Sequence, residues 1–250
     1  MKLIAAAIAP NPRKPQALAV AQNVESFLKA HNIKILAQSG SFLGAHPRGH
    51  IVITIGGDGT ILHNKNKYAL PFFAIGSDHS YICQGEYGNW EEALFPIIRN
   101  GYGLDRRLML SSKANGKRLP DSLNEVVITR VGLERLDIAD YELALNGNKY
   151  SFRADGLMIA TPTGSTGWAY SYGAPDLPSN SRDFIAVGMG VYRRRFGIQM
   201  IGDGSTARII AKARKMLEIV IDGQILVQPG NECVLKVWKS GKDFYFVKAA

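Results

Sequence analysis

The spacing of apolar residues divides this chain into two parts. Leu3 to Ala9 is an unbroken apolar run and reads as a buried strand. Gln16 to His31 then carries apolar residues at Ala17, Val20, Ala21, Val24, Phe27 and Leu28, the spacing of one helix face. Ile33 to Ala37, Ile51 to Ile55 and Pro71 to Ile75 read as further strands, and Trp90 to Arg99 as a helix. Strands alternating with helices predict a parallel sheet covered by helices. The pattern changes near Gly101 to Asp105. Beyond it, turn signals stand at Asn115-Gly116 and Asn146-Gly147, and Ile138 to Leu145 alternates with a two-residue period. Strands are predicted at Val126 to Thr129, Ala207 to Ala211, Leu217 to Ile221, Val234 to Trp238 and Phe244 to Val247. The second part is therefore mostly β, with no repeat and no low-complexity linker.

Composition narrows the function classes. With 250 residues, 46% of them hydrophobic, the chain can bury a sizeable core in one large or two small domains. No apolar run reaches the roughly 18 to 20 residues of a membrane span. The first nine residues superficially resemble a short signal peptide, but Pro10-Asn11-Pro12-Arg13-Lys14 follows at once, and a first buried strand is the better reading. Two cysteines, Cys83 and Cys233, supply neither a disulfide framework nor a metal cluster, so a reducing cytoplasm is expected. Net charge is +9, with one basic run, Arg193-Arg194-Arg195. That run is too short for a nucleic-acid face, whereas a small anionic substrate suits the positive excess.

The chemistry-bearing residues fall in three places. In the first, a β-branched strand ends in Gly56-Gly57-Asp58-Gly59-Thr60. Glycines let backbone approach a ligand closely, and the free amides of such a turn suit phosphate. A carboxylate beside phosphate is repulsive unless a cation or a hydroxyl lies between them, so Asp58 points to phosphoryl transfer. The second is Asp155-Gly156 running into Thr161-Pro162-Thr163-Gly164-Ser165-Thr166-Gly167, dense in hydroxyls and bare amides that suit phosphate or ribose oxygens, or a capped tight turn. The third is Asn124-Glu125 at the mouth of a strand. There is no Gly-x-x-x-x-Gly-Lys-Ser/Thr and no intact Gly-x-Gly-x-x-Gly after a strand. Thr163 stands where a hydrolase elbow needs glycine. His46 and His50 lie among Gly44, Pro47 and Gly49 and read as loop histidines.

These three motifs, in the chain order Gly56 to Thr60, then Asn124-Glu125, then Asp155-Gly156 running into Thr161 to Thr166, and with this spacing, resemble the NAD kinases, with Asp222-Gly223-Gln224 a further family-like element. The Gly-Gly-Asp-Gly-Thr turn alone is shared with diacylglycerol- and sphingosine-type lipid kinases, so such a kinase, or a catalytically silent NAD(P)-binding protein, is the alternative. The resemblance implies an α/β plus β chain: a Rossmann-like α/β domain over 1–103, a β-sandwich-like NAD-binding domain over 104–223, and a segment, 224–250, returning to the first domain. It implies transfer of the terminal phosphoryl group of ATP or polyphosphate to the adenosine 2′-hydroxyl of NAD, with Mg²⁺ or another divalent cation carried by the donor phosphates, Asp58 being a candidate further ligand, rather than by a protein cluster. It also implies a cytoplasmic homodimer or homotetramer that binds neither nucleic acid nor membrane.

By the same resemblance Asp58 is the catalytic base. Gly56, Gly57, Gly59 and Thr60 cradle the donor. Asn124, Glu125, Arg153, Asp155, Thr163, Thr166, Gly167, Trp168 and Ser171 bind NAD. Two segments depart from the family pattern: Ala74 to Cys83, with Ser77, Asp78 and His79, and Val187 to Tyr192 with the arginine run.

Overall fold

The computed structural model describes residues 1–36, 48–77, 80–132 and 138–250. His46, Asp78 and His79, together with Ala37, fall outside the described residues. The chain forms two compact units, Met1–Arg106 with Phe244–Ala250, and Arg107–Asp243.

In the first unit β1 (Ala5–Pro10) leads into α1 (Pro15–Ala30), followed by β2 (Lys34–Ile35), β3 (His50–Ile55), α2 (Asp58–Asn64), β4 (Phe72–Gly76), β5 (Gly85–Glu86) and α3 (Trp90–Asn100). β1 pairs in parallel with β2 and β3, and β3 with β4. This is the helix-covered parallel sheet that the alternation predicts. β3 is buried along Ile51 to Ile55 because helices cover it. Ile51, Ile53 and Ile55 pack with Val24, Leu28, Trp90, Leu94 and Ile97. Phe246, near the C-terminus, pairs with Phe72 of β4. Gln84 ties this edge together, its side chain accepting from Ala74 N and donating to Val247 O.

In the second unit β6 (Tyr102–Ala114) enters from the first. It is followed by β7 (Lys117–Ser122), β8 (Glu125–Arg130), β9 (Ala139–Leu145), β10 (Asn148–Ala154), β11 (Gly156–Ala160), the single turn α4 (Pro162–Ser165), β12 (Phe184–Met189), β13 (Gln199–Ile201), β14 (Thr206–Ile221) and β15 (Ile225–Ala249). β14 joins two sets of strands. Its first half, Arg208 to Lys212, pairs with β9, and its second half, Leu217 to Ile221, pairs with β8. The register breaks between Lys212 and Leu217, and such a bulge bends a strand out of one sheet into another. One set is then β13-β12-β11-β8-β14, and the other contains β10, β9 and β14. Leu143, Phe152, Ile209 and Leu235 from one set and Ile128, Leu157, Phe184 and Ile219 from the other share one core. The opposite face of β8, β11 and β12 is also covered, with Val127, Met158, Ile185 and Val187 packing on Ala169 and Ala174. The fold is thus α/β in one unit and a β-sandwich-like arrangement in the other. β14 and β15 are each one long strand where hydrophobic spacing shows two short ones, because polar residues interrupt the apolar pattern without breaking the backbone.

Candidate active site

The site residues lie on both units. In the first, β3 stops at Ile55 and Gly56 and Gly57 take φ of 151° and 106°, values that disfavour any side chain. A Cβ at Gly56 would also strike Asn11 Cβ and the Thr60 hydroxyl. The reversal puts Asp58 at the first position of α2. Its carboxylate is held by the segment after β4: Oδ2 accepts from Tyr81 N at 3.0 Å and Oδ1 from Ile82 N at 3.3 Å. The Cys83 thiol donates to Oδ1 across 3.6 Å. Burial, then the charge of Asp58, pushes Cys83 up to about 12, so it stays a protonated donor at neutral pH. Lys14, entering α1, donates from Nζ to Gly56 O at 2.8 Å and brings a cation to the glycine turn. Thr60 Oγ1 is buried with no partner in the protein.

In the second unit the loop Leu123-Asn124 opens β8, whose first residue is Glu125. Three segments meet here. Thr161 donates from Oγ1 to Leu123 O at 2.5 Å and from its backbone to Asn124 O at 2.8 Å. The same Oγ1 caps α4 by accepting from Gly164 N. The Asp222 carboxylate accepts from Leu123 N and Asn124 N. Asn124 Oδ1 and Thr163 Oγ1 are buried without protein partners. Burial, and next the charge of Asp222, raise Glu125 to about 8, so it is largely protonated at neutral pH.

That proton makes stability depend on pH. The folded chain keeps a proton that the unfolded chain releases near pH 4.5, so stability falls as pH rises from 4.5 to about 8 and changes no further above it. At pH 7 this amounts to on the order of 3 kcal/mol. Glu125→Gln removes the titration. Its melting temperature should exceed that of the wild type by several degrees at pH 8, the advantage shrinking towards pH 5. Parallel wild-type and variant curves across that range would contradict the assignment.

The remaining sequence candidates are spread around this core. Asp155 Oδ1 accepts from Arg130 Nε at 3.0 Å and Nη2 at 2.9 Å. Gly190, at φ 56°, lies so close that a Cβ would meet the Asp155 carboxylate. Arg153 is exposed, pairs with Asp140 at 3.4 Å and lies over the Tyr192 ring at 5.9 Å. Arg193 also approaches that ring, at 5.2 Å. Phe196 anchors the arginine run by stacking on Phe152 at 4.2 Å. Thr166 Oγ1 donates to Thr163 O, Gly167 is exposed, and Trp168, 40% exposed, lies 6.5 Å from Tyr172. Ser171 is exposed in the short turn Tyr170–Tyr172. Among the described residues no three of His, Cys, Asp and Glu come together as a metal cluster.

Lys14, Tyr81, Ile82, Cys83 and Arg130 are absent from the sequence candidates. The position of Tyr81, Ile82 and Cys83 in the atypical segment, and of Arg130 at a strand end, was the signal available; Lys14 had none. Asp222 stood out as part of a motif but had no place in the site.

Comparison with known proteins gives this geometry a family. The family model described as the ATP-NAD kinase C-terminal domain matches residues 123–249, beginning at Leu123. The NAD kinase of Methanoculleus marisnigri is 30% identical over 202 residues, covering 80% of this chain and 74% of the relative. That of Pyrococcus abyssi is 31% identical over 203 residues, covering 79% and 72%. The crystal structure of an NAD kinase from Archaeoglobus fulgidus in complex with ATP has a TM-score of 0.79 at 22% identity, covering 98% of this chain and 94% of the other. Yeast NADH kinase complexed with NADH has 0.82 at 16%, covering 100% and 84%. The two structures establish a common fold. The family match over half the chain, with 30% identity across four-fifths of it, establishes kinship: the chain belongs to the NAD kinase family.

Proposed function

We propose that this chain transfers the terminal phosphoryl group of ATP to the adenosine 2′-hydroxyl of NAD, giving NADP and ADP. The observation that carries the reading is the bracketed Asn124-Glu125 pair, with the buried, unpartnered Asn124 Oδ1 and Thr163 Oγ1 beside it. Withdrawing such atoms from water without a partner costs about 1 to 3 kcal/mol each. A ribose diol and an adenine edge supply the missing donors.

Asn124 and Glu125 hold the adenosine ribose, and protonated Glu125 both donates and accepts without adding negative charge beside phosphates. Asp155, its charge offset by Arg130, takes the carboxamide of the nicotinamide end. Arg153, Thr163, Thr166, Gly167, Trp168 and Ser171 line the remainder of the acceptor. Gly56, Gly57, Gly59 and Thr60 take the donor phosphates, with Lys14 contributing charge at the same turn. The 2′-hydroxyl oxygen attacks the terminal phosphorus while Asp58 accepts its proton. The bond from that phosphorus to the bridging oxygen breaks, and ADP leaves. In such a transfer the protein chiefly positions reactants and neutralises charge. A divalent cation fits as part of the donor. The described residues offer it one carboxylate, Asp58, beside the glycine turn, and when bound it supplies charge neutralisation on the phosphates.

No helix among the described residues is long and apolar enough to cross a membrane. The same reading carries a cytoplasmic location and a homodimer or homotetramer. The test is a donor-by-acceptor matrix on the purified protein, ATP or polyphosphate against NAD, NADH, diacylglycerol and sphingosine, with Mg²⁺. NADP from NAD and ATP is the expected product. Phosphorylated lipid, or NAD binding without turnover, would replace the proposal by one of its rivals.

A further inference from the structure

We propose that Asp222 is a positioning residue for the acceptor, holding Leu123, Asn124 and Glu125 in the conformation that presents the Asn124 amide and the Glu125 carboxyl to the ribose. The proposal rests on reading Asn124-Glu125 as the acceptor hook.

Asp222 lies in the turn between β14 and β15, where it and Gly223 both have positive φ, 53° and 66°. Aspartate is tolerated in such a turn, but so is asparagine, which favours it equally. Turn geometry therefore does not explain the carboxylate. A turn aspartate ordinarily bonds the backbone two or three residues on. Asp222 instead reaches residues 97 to 99 positions away in sequence. Oδ1 accepts from Asn124 N at 2.8 Å, Leu123 N at 3.0 Å and Glu125 N at 3.4 Å, and Oδ2 from Leu123 N at 3.1 Å. In return Asp222 N donates to Glu125 O at 3.0 Å. Asp222 and Glu125 are each buried to 4% exposure, and Asn124 is half-buried. Amide bonds to a buried charge are about twice as strong as neutral ones, so the hook is fixed before any ligand arrives.

The other side of the hook is closed by Thr161 and by Gly164, whose bare α-carbon lies against the Asn124 backbone. That segment, Ala160 to Ser165, carries no charge, and the facing end of β14, Val220-Ile221, is apolar. Burial, and next the field of Asp222, keeps Glu125 protonated to about pH 8. Asp222 thus holds the hook in place and adds to the burial that sets its hydrogen-bonding state.

The experiment is steady-state kinetics of wild type, Asp222→Asn and Glu125→Gln from pH 6 to 9, varying NAD and ATP separately, with melting curves on the same samples. The Asn variant keeps the turn but loses the charge and one acceptor. Its KM for NAD should rise about tenfold or more, with KM for ATP changed less than about twofold. In the wild type, KM for NAD should climb above pH 8. In Asp222→Asn that climb should begin at lower pH, because burial alone then holds the proton on Glu125, and in Glu125→Gln it should be absent. An unchanged KM for NAD with an unchanged alkaline limb overturns the proposal. A uniform loss with both substrates, accompanied by a lower melting temperature, reduces Asp222 to a structural cap and also overturns it. Failure of the kinase reading is distinct: the wild type would make no NADP. Calorimetry with NAD then decides, since equal affinity of wild type and Asp222→Asn, or no affinity in either, sinks the positioning role.

Discussion

Asp58→Asn is expected to lower kcat for NADP formation by about 10² to 10⁴-fold, the usual contribution of a positioned base. KM for NAD should stay within a few-fold, because Asn124, Glu125 and the Thr161 segment are untouched. The local structure favours a clean reading of this variant. Asp58 is half-exposed at the start of α2, and its oxygens accept from Tyr81 N and Ile82 N. Asparagine can keep one of those bonds through its carbonyl but loses the other and cannot take a proton. The glycine turn before it is set by Gly56 and Gly57 and does not depend on the carboxylate. A kcat within threefold of wild type would remove Asp58 from the chemistry. Loss of NAD binding alone would move it to the acceptor site.

Gly164→Ala is expected to be the most damaging single methyl group in the second unit. A Cβ there would lie 2.6 Å from Asn124 C and 2.9 Å from Asn124 Cα, with the Asn124 carbonyl oxygen closer still. These are backbone atoms, and they have no room to move. The Asn124 amide is bound by Asp222 and its carbonyl by Thr161 N. Overpacking of this kind typically costs about 1 to 3 kcal/mol. Either the melting temperature falls by several degrees, or Asn124 shifts and KM for NAD rises more than about tenfold. Gly241→Ala is the control, because a Cβ there meets nothing within 4 Å. Equal melting temperature and equal KM for NAD in Gly164→Ala and wild type would show that the loop yields and that the hook is not rigid.

Much of this was legible because it is local. The helix-covered strands of the first unit follow from a period of 3.6 alternating with short apolar runs, and α1 (Pro15–Ala30) and α3 (Trp90–Asn100) lie close to where the spacing places them. The Gly56-Gly57-Asp58 reversal follows from what glycine permits. Less legible were the long strands. Exposed residues such as Arg214 and Lys215 interrupt the apolar pattern of β14 but not its backbone, so one bent strand reads as two. The pairing of the site residues with their partners was not legible, although the atypical segment and a strand end hold several of those partners. Nothing in the spacing of Asp58 announces Tyr81, Ile82 and Cys83 beside it, and nothing around Asp155 announces Arg130.

The sequence by itself determined which residues are the candidates for the chemistry: the carboxylate in a glycine turn, the amide and carboxyl before a β-branched run, and the hydroxyl-rich segment beyond Asp155. Backbone propensity and functional groups are properties of neighbours along the chain, and a linear reading contains them. Only the tertiary structure decided how each is held and in which protonation state. Glu125 is kept protonated by burial and next by the charge of Asp222, the aspartate nearly a hundred residues away that also fixes Asn124. Burial and charge proximity arise when distant segments pack, and it is packing that sets the local dielectric and the field.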